Sequence, residues 1–191
     1  QNDNFRFHLD LFTKIQVMQY DKSDLKEKMT TIDLKTYKTI EQLDLQFFVD
    51  YKIFPNKIMS YLTQWRSENR QMKVGDTIIQ QAYLPPVKGI SAKLVMGVRI
   101  NEIFNEPNKK GFSYETLAGH AEKGISIFTA EQLGARLQFK IHTFSSPGNI
   151  LTKLAGPLFS LPYQAYCTRI GLLNVKRQAE QPDFGRTTGY N

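Results

Sequence analysis

The chain has 191 residues, 41% of them hydrophobic and 12% aromatic, enough for a packed core of ordinary domain size and too apolar for a disordered chain. Its net charge of +7 is spread along the whole length, in nothing longer than short basic pairs such as Lys109-Lys110 and Lys176-Arg177. That pattern lacks the basic run or framed recognition helix of a nucleic-acid reader and reads as solvated surface.

The single cysteine, Cys167, cannot close an internal disulfide and has no Cys or His neighbour at metal-ligand spacing. Its helix-like flanks suit a small core residue. No basic-then-apolar leader opens the sequence, so the expected location is the cytoplasm, with a leader removed before Gln1 left open. The longest weakly charged stretch, 148–165, is interrupted by Lys153, Pro157 and Pro162, and it falls short of the ~20 apolar residues of a membrane span.

In chain order, residues 5–11 (Phe-Arg-Phe-His-Leu-Asp-Leu) alternate strictly and predict a half-buried strand, with 15–20 continuing it after a break. Residues 21–31 are charged and have room for one helical turn, and 43–51 are β-like. Pro55, followed by Ile58, Leu62 and Trp65 at helical spacing, predicts a helix running to Arg70. After Gly75-Asp76 the period becomes two. Strands are expected over 77–84, 93–104, 110–117, 122–131 and 136–144, a meander of about five antiparallel strands, with 105–108 (Asn-Glu-Pro-Asn) as a hairpin turn. Ser145-Ser146-Pro147 ends the sheet and starts a long helix reaching about Lys176, kinked or shortened by Pro157 and Pro162. Residues 180–191 have the composition of a frayed tail. No repeat or linker divides the chain, so one α+β domain over 1–179 is expected, with 1–42 an N-terminal β extension and 43–179 the core.

One segment is not generic: Tyr114-Glu115-Thr116-Leu117-Ala118-Gly119-His120-Ala121-Glu122-Lys123-Gly124, followed by Phe128. It resembles the signature Tyr-x-Thr-Leu-x-Gly-His-x-Glu-x-Gly of an uncharacterised bacterial and plant family, the domain of unknown function numbered nineteen-ninety. Thr143-Phe144-Ser145-Ser146-Pro147 and Lys153-Leu154-Ala155-Gly156-Pro157 resemble its next two landmarks, so the likeness covers roughly 45–178. Ala118 and Ala121 stand where the pattern around Gly-His places prolines. The resemblance, with this order of elements, implies a helix-grip fold of the lipid-transfer and pollen-allergen (START-like) type: an antiparallel meander sheet packed on a long C-terminal helix, often with a cavity between. Fold alone does not fix function.

The candidate residues each carry two readings. His120 and Glu122 form His-x-Glu, as in zinc deaminases, but the Pro-Cys-x-x-Cys that completes such a metal site is absent, and only His8 and His142 accompany His120. No metal or cofactor is therefore expected. The pair either performs proton transfer or ties down a Gly-bounded loop by hydrogen bonds, the commoner role. Tyr114 and Thr116 share a strand face with Phe112, as core or as cavity lining. Arg99, Lys140 and His142 read as solvated polar faces. Arg169, alone in an apolar segment, either snorkels or pairs with Glu115 or Glu122. No Gly-x-Ser-x-Gly, Walker loop, Gly-x-Gly-x-x-Gly or Cys-x-x-Cys appears.

Three functions follow. The leading one is a non-catalytic domain holding a small apolar ligand between sheet and C-terminal helix, with Tyr114, Thr116, His120, Phe139, His142 and Arg169 as site candidates. The second is a hydrolase or isomerase with His120 as base and Glu122 as its orienting partner. The third is peripheral membrane or protein association through 148–165. The sequence leaves the oligomeric state open.

Overall fold

A computed structural model describes residues 2–56, 58–84, 92–148 and 161–180. In chain order the elements are α1 (Asn2–Phe12), β1 (Lys26–Leu34), α2 (Gln46–Val49), β2 (Met59–Thr63), α3 (Gln64–Ser67), β3 (Thr77–Leu84), β4 (Ala92–Glu106), β5 (Lys109–Thr116), β6 (Glu122–Leu133), β7 (Arg136–Pro147) and α4 (Leu161–Ala179). The period-two stretches become β3 to β7, five consecutive antiparallel strands, as alternation requires when one face is buried. β1 joins one edge and β2 the other, giving a seven-stranded antiparallel sheet in the order β1-β7-β6-β5-β4-β3-β2.

Several elements differ from the sequence reading: β1 starts inside the charged stretch 21–31, paired with β7, and 145–147 belongs to β7 rather than to a helix start. Residues 5–11 lie in helix α1, not a strand. Within their alternation sits a helical pair, Leu9 and Phe12, and only that side meets the sheet. Leu9 is buried, whereas Phe7 is 68% and Leu11 50% exposed. The expected helix over 55–70 is β2 followed by one turn, α3. Met59, Tyr61 and Thr63 find ladder partners in Ala82, Gln80 and Ile78, and pairing outweighs the helical spacing of Ile58, Leu62 and Trp65. The β-like stretch 43–51 holds α2, which sends Phe48 into the core. Helix α4 begins at Leu161, with Pro162 in its first turn, where proline is tolerated. Pro157 lies outside the described residues.

The inner face of the sheet carries Ile78, Val98, Ile100, Phe112, Phe128, Leu137 and Phe139, all buried. Against it pack α2, the 51–54 turn and the stripe Leu172, Val175 and Ala179 of α4. Tyr51 sits at the middle. Its ring is wholly buried, edge-on to Phe54, Tyr61, Phe112, Tyr114 and Phe128 at centroid distances of 5.2–6.3 Å. Its backbone is left-handed, φ 59°, because it closes α2 with a Schellman pattern: Lys52 N–H to Phe47 O at 2.8 Å and Tyr51 N–H to Phe48 O at 3.1 Å. A tyrosine there costs roughly 1 kcal/mol that glycine would not, and the ring contacts offset it.

The outer face is partly covered by the N-terminal extension. α1 crosses β3 and β2, and Phe12 lies against Gly97, where an added Cβ would come 2.3 Å from its ring. Arg99, expected in solvent, is half-buried. Its Nη2 lies 3.0–3.1 Å from the carbonyl oxygens of Phe12, Thr13 and Ile15, a cation at a helix C-terminus. The chain then runs beside the end of β5: Ala118 N–H donates to Gln16 O, Met18 N–H to Thr116 O, and the Tyr20 hydroxyl to Glu115.

Gly97→Ala should therefore loosen α1 selectively. Hydrogen exchange should show α1 amides losing about 1–3 kcal/mol of protection, with β3–β7 unchanged. Unaltered α1 protection would contradict this packing account.

Candidate functional site

Towards the N-terminal half of α4 the core stops being full. A cavity of about 240 Å³ opens between the sheet and the helix, lined by Phe54, Met59, Ala82, Met96, Phe128 and Ile141 as apolar wall and by Cys167 and Thr168 from α4. Thr168 belongs to the same helical stripe as Leu172 and Val175 at i+4 and i+7 spacing, so one face of α4 closes the core at one end and roofs the cavity at the other. The polar lining comes from Lys28, Gln80, Tyr114, Thr116, His120, Glu122, Ser126, Thr143 and Ser145.

Most of these polar atoms already have partners. The Gln80 amide donates to the Tyr51 hydroxyl at 2.7 Å. Tyr114 is hydrogen-bonded to Tyr51, Gln80 and Ser126, and burial raises the pKa of both phenols above its ordinary value, so both stay neutral donors. Ser126 and Thr143 hydroxyls lie 3.1 Å apart. The Thr116 hydroxyl is used twice within the hairpin, accepting from Gly124 N–H at 3.0 Å and donating to Gly124 O at 3.3 Å. Gly124 has φ 145°, and an added Cβ would sit 2.0 Å from Phe144 O. The signature Thr and Gly therefore clasp the base of the hairpin, with 117–121 as the loop between its strands.

That loop carries His120. Its Nδ1 lies 3.0 Å from the Glu122 amide nitrogen and 2.9 Å from the Glu122 carbonyl oxygen, accepting from the first in one neutral tautomer and donating to the second in the other. The residue is partly buried and lines the cavity. Desolvation dominates its titration and pushes the imidazole down to about 4, so it is neutral at physiological pH. Glu122 and Lys28 are the charged residues of the lining.

The structure brings Tyr114, Thr116, His120 and Glu122 together on the cavity. Phe139 stands apart, buried between Phe47 and Phe48 at centroid distances of 6.4 and 5.1 Å, because it sits further along β7 under α2. His142 has the opposite parity on β7 and faces outward, 2.6 Å from Glu27 and against the Phe144 ring. It borders an open groove of about 540 Å³ on the outer face, whose walls are held by ion pairs such as Lys140–Glu131 at 2.6 Å. Arg169 is exposed on α4, and Glu115 pairs with Tyr20 instead. Ile150, Leu151, Leu154, Leu158 and Phe159, the proposed association patch, lie outside the described residues. Sequence reasoning missed Gln80, Ser126 and Thr143. The inward parity of β3, β6 and β7 was the available signal, since polar residues on a buried face demand partners.

Among the described residues no group of three His, Cys, Asp or Glu is placed to hold a metal ion, and no helix is long and apolar enough to cross a membrane.

The profile of the Domain of unknown function (DUF1990) matches residues 49–172. No curated protein matches the chain in sequence. Among solved structures, a major latex-like protein from ginseng (Panax ginseng) superposes with a TM-score of 0.55 at 10% identity, covering 82% of this chain and 99% of its own. A hypothetical protein from Helicobacter pylori superposes with a TM-score of 0.51 at 10% identity, covering 87% of this chain and 98% of its own. At such identities the likeness is one of fold, and that fold is the helix-grip type, a seven-stranded antiparallel sheet with a C-terminal helix.

Acid should find His120 first. Unfolded, its imidazole titrates near 6.5, and folded near 4, so between these values only the unfolded chain takes up the proton. Stability from this group is complete above 6.5 and falls as the pH drops towards 4, by about 2 kcal/mol between about pH 7.5 and about pH 4.5 after allowing for its open side. Chemical denaturation should show this loss, and His120→Asn should flatten it. Equal slopes in both proteins would contradict it.

Proposed function

This chain belongs to the DUF1990 family, and from that premise and the cavity beneath α4 we propose that it binds one small, largely apolar ligand. The observation that carries the reading is the cavity itself: an apolar-walled space at one end of an otherwise filled core, with its polar rim mostly self-satisfied. At about 240 Å³ it lies just under the ~300–1,000 Å³ usual for drug-sized ligands, so its occupant is compact rather than a long lipid. An occupant of aromatic side-chain size buries roughly 150–250 Å². At about 25 cal/mol per Å² that is worth about 4–6 kcal/mol, the scale of millimolar to tens-of-micromolar binding.

Proton-transfer catalysis by His120 with Glu122 is less well supported. Both residues line the cavity, but Nδ1 is engaged by the backbone of Glu122. A base whose conjugate acid titrates near 4 is also far from the near-neutral value that serves general-base catalysis best.

Titration with 1-methylnaphthalene, followed by amide and methyl NMR, tests the binding reading. Shifts should concentrate on Met96, Phe128, Ile141 and Thr168. Ala82→Leu, which places a larger side chain in the cavity, should weaken binding at least about tenfold without lowering the thermal midpoint. No shift up to the solubility limit of the probe, or shifts scattered over the outer face, would refute it.

A further inference from the structure

We propose that the ligand is a neutral molecule carrying a hydroxyl group, a phenol or compact alcohol, and that His120 Nε2 is its polar anchor. The proposal rests on the binding reading above and deepens it. It starts from what the hydroxyl groups nearest His120 on the cavity lining are already doing. The Thr116 hydroxyl is occupied on both its donor and acceptor sides by Gly124. Ser126 and Thr143 hold each other, and Tyr114 is bonded to Tyr51, Gln80 and Ser126. His120 presents two ring nitrogens to be accounted for. Nδ1 is held against the Glu122 backbone, while no described residue meets Nε2, on a ring that borders the cavity. A ring nitrogen at the border of a partly enclosed space, with no partner among the described residues, is a position at which a ligand's hydrogen bond adds most, because leaving it unmet costs about 1–3 kcal/mol.

The chemistry of the ligand group follows from the same contacts. Nδ1 lies equally near a backbone N–H and a backbone carbonyl, so either neutral tautomer finds a partner there, leaving Nε2 as donor in one and acceptor in the other. A hydroxyl donates and accepts, and so meets Nε2 in both. Lys28 and Glu122 put one positive and one negative group on the same lining, which leaves it without a net charge to select an ionised ligand. Size completes the description, since 240 Å³ holds one or two fused rings.

The test uses 1-naphthol and 1-methylnaphthalene, which share shape and differ in hydroxyl against methyl, titrated by calorimetry against three proteins. In the wild type the ratio of the two dissociation constants, 1-methylnaphthalene over 1-naphthol, is the reference. His120→Asn keeps an amide oxygen near the Nδ1 position for the Glu122 N–H and deletes Nε2. The ratio should fall about tenfold there, the worth of one satisfied hydrogen bond. His120→Gln extends an amide towards the Nε2 position and should recover most of it. A second readout needs no variant: in the ¹⁵N-labelled wild type, Nε2 of His120 should shift on adding 1-naphthol and stay put on adding 1-methylnaphthalene. An unchanged ratio in His120→Asn, or an Nε2 signal indifferent to 1-naphthol, overturns the anchor while leaving binding intact. Failure of both probes to bind the wild type at all overturns the binding reading and the anchor with it.

Discussion

Tyr51 is the residue around which the space between sheet and helix is arranged. Its backbone is held left-handed by the close of α2, and its ring is surrounded by five other aromatic rings. Stacked and edge-on rings pack as rigid plates with few rotamers, so this cluster fixes the distance between the inner face of the sheet and α4. Toward Leu172 and Val175 that distance is filled by large side chains. Toward Thr168 the sheet offers Ala82, Gly124, Ser126 and Thr143, which are too short to fill it. The cavity is thus the consequence of a fixed spacing met by small residues on one side only.

The Tyr51 hydroxyl also divides the polar groups of the interior into two sets. With Gln80, Tyr114 and Ser126 it forms a closed network in which each neutral group meets another, the condition under which buried polar atoms stiffen a core rather than weaken it. His120 lies outside that network, at the tip of a loop set by the Thr116–Gly124 clasp and braced from behind by the backbone bonds of residues 16–18 to Thr116 and Ala118. The N-terminal extension is therefore part of the support of the site, although it touches the opposite face of the sheet. Arg99 couples the two, gripping the end of α1 from β4.

The parts that were legible in the sequence are those where one physical signal acts alone. Strands β3 to β7 alternate because one face of each meets the core, and the Tyr114–Gly124 signature led to the loop that carries His120. The misread parts are those where two signals compete. In α1 the alternation of Phe5, Phe7, Leu9 and Leu11 conceals a helical stripe through Leu9 and Phe12, visible only once Gly97 is known to receive the Phe12 ring. Over 55–70 helical spacing lost to pairing with β3, a non-local partner that no local window contains. For the site, parity along β7 separates outward His142 from inward Ile141, and it follows from register with β6 rather than from residue type. Phe139 shares the inward face with the cavity wall but lies past its end, a matter of position along the strand that composition does not encode.

The central claim is that the space beneath α4 exists to be occupied. Native mass spectrometry of the protein purified from its own host, with denaturing extraction of whatever accompanies it, tests this most directly. The account predicts one small neutral, hydroxyl-bearing molecule per chain, displaced by 1-naphthol. A clean unliganded mass that persists after incubation with a metabolite extract of the host would contradict it, and would move the function to the protein's outer surfaces.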